Sequence, residues 1–249
     1  DIRVYFLLFL TYSFAGWCME VIGKLIQYKR FINRGFLNGP YCPIYGSGAV
    51  LVILVLGKLT NPFLLFFAGA LLTCSLEYLT SFVMEKLFHA RWWDYSKRKF
   101  NINGRVCLIG AVVFGAFSTV LVLWIHPLVT KLTDMPSPLA RHIVSAVLFC
   151  GIVTDLVFTV KGMAGFREKI EEVSELVEQQ KKALEEKIHD SEAAAKLRGR
   201  RTEIKKKFTL QQRRLISAFP SLKFKKPQSN ETLRSLRDVM KKIKEKKER

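Results

Sequence analysis

Three carboxylates sit where carboxylates are expensive. Glu20, Glu77 and Asp155 each fall inside a long apolar run, and an ionisable side chain inside a bilayer is costly and usually functional. Each lies on a small or polar stripe at helical spacing: Ser13, Gly16, Glu20 and Lys24, then Thr73, Glu77, Ser81 and Glu85, then Gly151, Asp155 and Thr159. A fourth stripe, Ala111, Gly115 and Thr119, carries no charge. Small residues at that spacing let helix backbones approach closely, so these faces are expected to point inward and the three acids to line one cavity. Such a cavity suits a cation, an amine or protons. The competing reading is that each acid is neutralised by a loop cation such as Arg34, Arg91 or Arg105, or caps a loop.

The elements that must hold these acids are helices. About 20 apolar residues span a bilayer, and five segments approach that description: 4–26, 43–57, 62–84, 106–125 and 140–160. The second is short enough to be a re-entrant segment, but charge favours a span. With five crossings and the basic C-terminal tail inside, the N-terminus lies outside. The inner loops then hold Lys29, Arg30 and Arg34, and Lys86, Arg91, Lys97, Arg98, Lys99 and Arg105. The outer segments hold only Arg3, Lys58, Lys131 and Arg141, as the positive-inside rule requires. The fold class expected is all-α, a polytopic membrane bundle over 1–163 followed by a cytoplasmic helical tail over 164–249. The first apolar run is too long for a signal-peptide core. The chain opens at Asp1 without a methionine, which points to a preceding segment.

The two inner loops, 27–45 and 85–105, are rich in Gly, Asn and aromatic residues and are expected to be folded, with tight turns and positive φ. Asn38-Gly39-Pro40-Tyr41-Cys42 precedes the second segment and Asn103-Gly104-Arg105-Val106-Cys107 the fourth. Both read N-G-x-x-C, so helix, inner loop and helix occur twice in one orientation, a repeat of the kind transporters use. The loops would form the mouth of the cavity, with Arg34, Asn38, Tyr45, Asp94, Asn103 and Arg105 around it. Trp92, Trp93 and Tyr95 suit a membrane-interface belt. His89 beside Asp94 is a candidate general base for chemistry on a lipid or lipid-linked substrate, though no nucleophile accompanies it. Cys42 and Cys107 could pair if the repeat is real. The five cysteines form no C-x-x-C and read as reduced packing residues.

Several stretches carry a family resemblance: YSFAGWCMEV, FINRGFLNGPYCPIYGSGAV, LEYLTSFVMEKLFHARWWDYS and FNINGRVCL. They resemble the bacterial membrane family described as putative ABC-transporter type IV, over about residues 5–160. Positions matching its motifs include Trp17, Glu20, Asn33, Arg34, Gly35, Gly39, Pro40, Cys42, Tyr45, Glu77, Glu85, Trp93, Asp94, Tyr95, Asn103, Gly104 and Arg105. The resemblance implies a permease-like protein of the bacterial plasma membrane, carries over no catalytic residue, and would call for two or more copies or a separate ATPase subunit. The chain itself has no G-x-x-x-x-G-K-[ST] loop, and no G-x-G-x-x-G, H-E-x-x-H or G-x-S-x-G motif. No cofactor is expected.

Charge completes the expectation. The chain carries a net +19 with 49% hydrophobic residues, a combination that excludes a single soluble domain, a disordered chain or a secreted disulfide scaffold. Residues 167–192 are net −4, with Ile170, Val173, Val177, Leu184 and Ile188 near heptad spacing, which suggests a coiled coil. Residues 193–249 are net +15. Their Leu233, Leu236, Val239, Met240 and Ile243 fall on one face of a basic amphipathic helix, which suits anionic lipid at the inner leaflet. Phe208, Phe219 and Phe224 fit insertion into lipid rather than stacking on nucleic acid, the lesser alternative.

Overall fold

The computed structural model describes residues 2–134, 137–163, 165–172, 207–224, 229–234 and 237. The chain divides into two compact units, one of Asp1–Val83 with Trp93–Thr159, the other of Met84–Trp92 with Val160–Arg249.

The first unit is built on α1 (Ile2–Tyr28), α2 (Pro43–Leu56), most of α3 (Pro62–Phe88), α4 (Leu108–Val120), a π turn (Leu121–Ile125), α5 (His126–Asp134) and most of α6 (Pro138–Met163). The starts follow from local chemistry. Asn61 Oδ1 accepts from the Phe63 and Leu64 amides and Pro62 takes the first turn. Ser137 Oγ accepts from Ala140 N–H ahead of Pro138. These are N-cap residues followed by a proline whose missing N–H costs nothing there. The π turn also has a cause. Pro127 has no N–H for the carbonyl of Leu123, so the helix widens just before it, and His126 N–H bonds back to Leu121 O.

Among the described residues, four helical stretches are long and apolar enough to cross a membrane: Ile2–Tyr28, Pro62–Phe88, Leu108–Lys131 and the one that begins at Pro138. Large apolar side chains along them, such as Phe67, Leu71, Trp124 and Phe158, are exposed, which is the surface a lipid-embedded protein presents. The molecule is a multi-pass membrane protein. The segment expected as a second span is shorter than the others. α2 has 14 residues, about 21 Å of helix against roughly 30 Å of hydrocarbon.

What α2 packs on explains its length. Cys42, its N-cap, donates its amide to Ser13 O at 2.9 Å, so α2 starts beside the middle of α1 and runs back towards the start of α1. The two helices touch closely because their contacts are small. A Cβ on Gly46 would lie 2.3 Å from Phe9 O, and one on Gly16 would lie 2.4 Å from the Tyr45 ring. Farther along, Leu8, Tyr12 and Ile53 close the seam. α3 and α4 repeat the arrangement. A Cβ on Gly69 would lie 2.4 Å from Ser118, and one on Gly115 would lie 2.7 Å from Phe66 O. Val52, Leu56, Leu65 and Val122 form the cluster that joins the two pairs.

The echo in sequence is thus an echo in structure. A 27-residue helix is followed by a folded loop, then by an apolar helix whose N-cap is a buried cysteine, 14 residues long after the first loop and continuing through the π turn to Lys131 after the second. The loops differ in detail. The second contains a hairpin of β2 (Asn101–Ile102) on β3 (Val106–Cys107). Asn103 and Gly104 turn it with φ of 52° and 67°, the left-handed values for which Asn-Gly is suited. No disulfide joins Cys42 and Cys107, each of which caps the start of its own helix.

The second unit has a core of its own. β1 (Ala90–Arg91) pairs antiparallel with β4 (Lys223–Phe224), and α7 (Phe166–Glu172) and α8 (Leu210–Ala218) supply apolar faces. Ile170, Leu215, Ile216, Leu222 and Leu233 are buried. Thr209 and Gln212 form a capping box on α8, and Gln212 Nε2 also donates to Gly162 O at 2.8 Å. Two expectations are corrected here. Phe208 and Phe224 are buried, and Phe219 stacks edge-on to Trp92 at 5.1 Å, so these rings fill a protein core and do not insert into lipid. Trp92 belongs to that core too and to no interface belt. Of the heptad positions Ile170 is buried in this core, while Val173, Val177, Leu184 and Ile188 lie outside the described residues. So do Leu236, Val239, Met240 and Ile243.

Candidate functional site

Each intramembrane acid accepts a hydrogen bond from a tyrosine hydroxyl. Tyr45 Oη donates to Glu20 Oε1 at 2.7 Å, Tyr95 Oη to Glu77 Oε1 at 3.2 Å, and Tyr41 Oη to Asp155 Oδ2 at 2.6 Å. Two of these tyrosines stand on the loops and the third on the first turn of α2. The sequence stripes identify the acids but not their partners, because Tyr41 and Tyr95 stand outside any helical period.

The acids differ in what else holds them. Glu20 accepts from Arg34 Nε at 3.2 Å, the neutralised arrangement that its loop cation allowed. Trp17 Nε1 donates to Asn33 Oδ1 at 2.8 Å, and Trp17 meets the Phe31 ring. The first loop therefore runs back along α1, from Arg34 at Glu20 to Cys42 at Ser13. Asp155 is a clasp. It accepts from the amides of Asn38 and Gly39, from Asn38 Nδ2 and Thr159 Oγ1, and from Tyr41. Both of its oxygens are saturated, and they fix the N-G-P-Y turn onto α6.

Glu77 is the outlier. It is 6% exposed, and its Oε2 is buried with no hydrogen-bond partner. Arg105, one of the loop cations that could neutralise an acid, is buried one turn along. There it donates to Ser81 Oγ at 3.0 Å and lies over the rings of Tyr78 and Phe82.

The remaining candidates order the second loop. Asp94 Oδ1 accepts from Ser96 N–H and Oγ, Asn103 Nδ2 donates to Tyr78 Oη at 2.9 Å, and Trp93 Nε1 donates to Arg105 O at 3.0 Å. Trp93 and Tyr95 are thus parts of a folded loop. His89 is exposed with φ of 52°, just past the end of α3. Burial first, then Glu77, and more weakly Cys107 and Glu20, push the Tyr95 hydroxyl above its ordinary range. Burial and the bond to Asp155 do the same for Tyr41. Both stay protonated donors at neutral pH. Among the described residues no group of three or more His, Cys, Asp or Glu is arranged to hold a metal ion.

Both loops and all three acids lie within one stretch of the chain. A family model, putative ABC-transporter type IV, matches residues 7–160. The chain belongs to that family. The match covers well over half of the sequence and contains every residue of the acid–tyrosine arrangement. No curated protein and no solved structure matches the chain. Membership of the type IV family and four membrane-length apolar helices fit a membrane transporter.

Proposed function

We propose that the chain is a transporter subunit of the bacterial plasma membrane. Its substrate or coupling ion enters a cavity open to the cytoplasm and lined by Glu20 and Glu77. Arg34, Asn38, Tyr45, Asp94, Asn103 and Arg105 hold the mouth, and Asp155 fastens the first loop in place. The observation that carries this reading is the depth of the loops. Non-helical backbone from 31 to 42 follows α1 back to Ser13, near the helix middle. Irregular backbone at that depth is tolerated only where protein buries it or where it borders water. Loop and α2 together return the chain to the level where α1 began. Five crossings, with the N-terminus outside and the basic tail in the cytoplasm, follow.

The tail of the type IV chain lies against anionic lipid through its +15 charge. Lacking a nucleotide loop, the chain works as a homo-oligomer or with a separate ATPase subunit. Purification from native membrane with identification of co-purifying chains and small molecules tests this. A co-purifying ATPase or a bound small cation supports the reading, whereas turnover of a bound lipid by the protein alone would replace it with an enzyme. Recovery of full cellular function by the tail on a foreign anchor would replace it with a scaffold.

A further inference from the structure

The three acids are unequally satisfied, and the inequality singles one out. Glu20 has a guanidinium and a phenol, and Asp155 has five donors. Glu77 has one phenol on Oε1 and nothing on Oε2, with the residue 94% removed from solvent. An ionised carboxylate in that position leaves a buried charge half-solvated, which is costly. A proton on Oε2 removes the charge and leaves Oε1 as the carbonyl oxygen that Tyr95 already serves.

We propose that Glu77 is a proton-carrying site, loaded and unloaded from water at the second loop while Tyr95 holds Oε1. The groups facing it support a proton over a metal cation. Cys74 and Tyr78 lie on its own helix, Arg105 and Cys107 come from the second loop, and the charge of Glu20 on α1 is felt at the same Tyr95 hydroxyl. A single carboxylate with a buried guanidinium one turn away is a poor cage for a metal ion. The transfer is a simple exchange: a hydronium ion in the loop mouth gives a proton to the carboxylate and is left as water, the O–H bond forms on Oε2, and the reverse step returns the proton to water. This inference rests on the proposed opening of the loops to water and names the coupling ion of that cavity.

Infrared difference spectroscopy of the full chain in lipid nanodiscs, stepped in pH, tests it. The expected result is a carboxylic-acid carbonyl band that disappears at high pH and returns on reversal. It is absent from Glu77→Gln and retained in Glu20→Gln and Asp155→Asn. In Tyr95→Phe it moves to higher frequency, because its carbonyl loses a hydrogen bond; that shift assigns the band even if Glu77→Gln does not fold. No band assignable to Glu77, or a band unchanged at every pH, overturns the proposal. A reversible Glu77 band in a protein whose acid-to-amide variants retain full cellular function upholds the proton site and removes the transport reading.

Discussion

At the residue scale, the acids behave as two kinds of group. Asp155 is a structural clasp. Asn in its place would offer an NH2 to donors that already point inward, leaving at least one of them unsatisfied. Asp155→Asn is expected to lower stability by about 1–3 kcal/mol, and Tyr41→Phe by about 1 kcal/mol. Thermal unfolding in detergent measures both, and an Asp155→Asn protein as stable as the parent would contradict the clasp. The two loop tyrosines, Tyr41 and Tyr95, set a pH dependence. Their folded-state pKa values are raised above the unfolded ones, so their contribution is whole below about pH 10 and is lost as pH climbs past it. A spectrophotometric titration is expected to show a late tyrosinate fraction that shrinks by two groups in the Tyr41→Phe, Tyr95→Phe double variant. The acids were legible from the sequence because apolar runs make a carboxylate conspicuous. Tyr41 and Tyr95 were not, because a loop has no period against which a partner stands out. The same gap made Trp92 look like part of an interface belt.

At the element scale, the repeat rests on close helix contacts at glycine. Gly46 meets Phe9 O, and Gly69 meets Ser118, so a methyl at either place forces the two helices of its pair apart. Gly46→Ala and Gly69→Ala are expected to destabilise by about 1–3 kcal/mol. Gly23→Ala and Gly151→Ala, where nothing lies within 4 Å, are expected to be neutral or slightly stabilising in the same assay, since alanine is the better helix former. Equal effects at all four positions would refute the packing account. The stripe Ser13, Gly16, Glu20 anticipated the α1 face, and Gly115 anticipated that of α4. Gly151 did not act as a contact, since helical spacing marks a face without saying which face a neighbour covers. The short length of α2 was legible as 43–57, but what it packs on was not. Hydropathy counts apolar residues, and only the Cys42–Ser13 bond reveals that the helix begins part-way along its partner.

At the scale of the whole molecule, the charge of +19 separates into loop cations and a basic tail. The basic loops agree with a cytoplasmic placement by the charge rule, and an N-terminal and a C-terminal reporter are expected to report opposite sides of the membrane. The tail's aromatic residues are the part that composition misrepresents. Phenylalanines amid lysines suggest a lipid-seeking helix, yet Phe208, Phe219 and Phe224 complete a small core with Trp92. Only pairing of β1 with β4, across more than a hundred residues of sequence, makes that core visible.

The central claim is that the first loop meets water deep within the bundle. Its most direct test uses single cysteines in a background lacking the five native ones, probed with a charged, membrane-impermeant thiol reagent. Pro40→Cys places the thiol on the exposed loop two residues before Cys42, and Phe14→Cys places one on the exposed face of α1 beside Ser13. The account predicts that Pro40→Cys reacts from the cytoplasmic side only, while Phe14→Cys, at similar depth but facing lipid, does not react. An inert Pro40→Cys, or one labelled from outside, would contradict it.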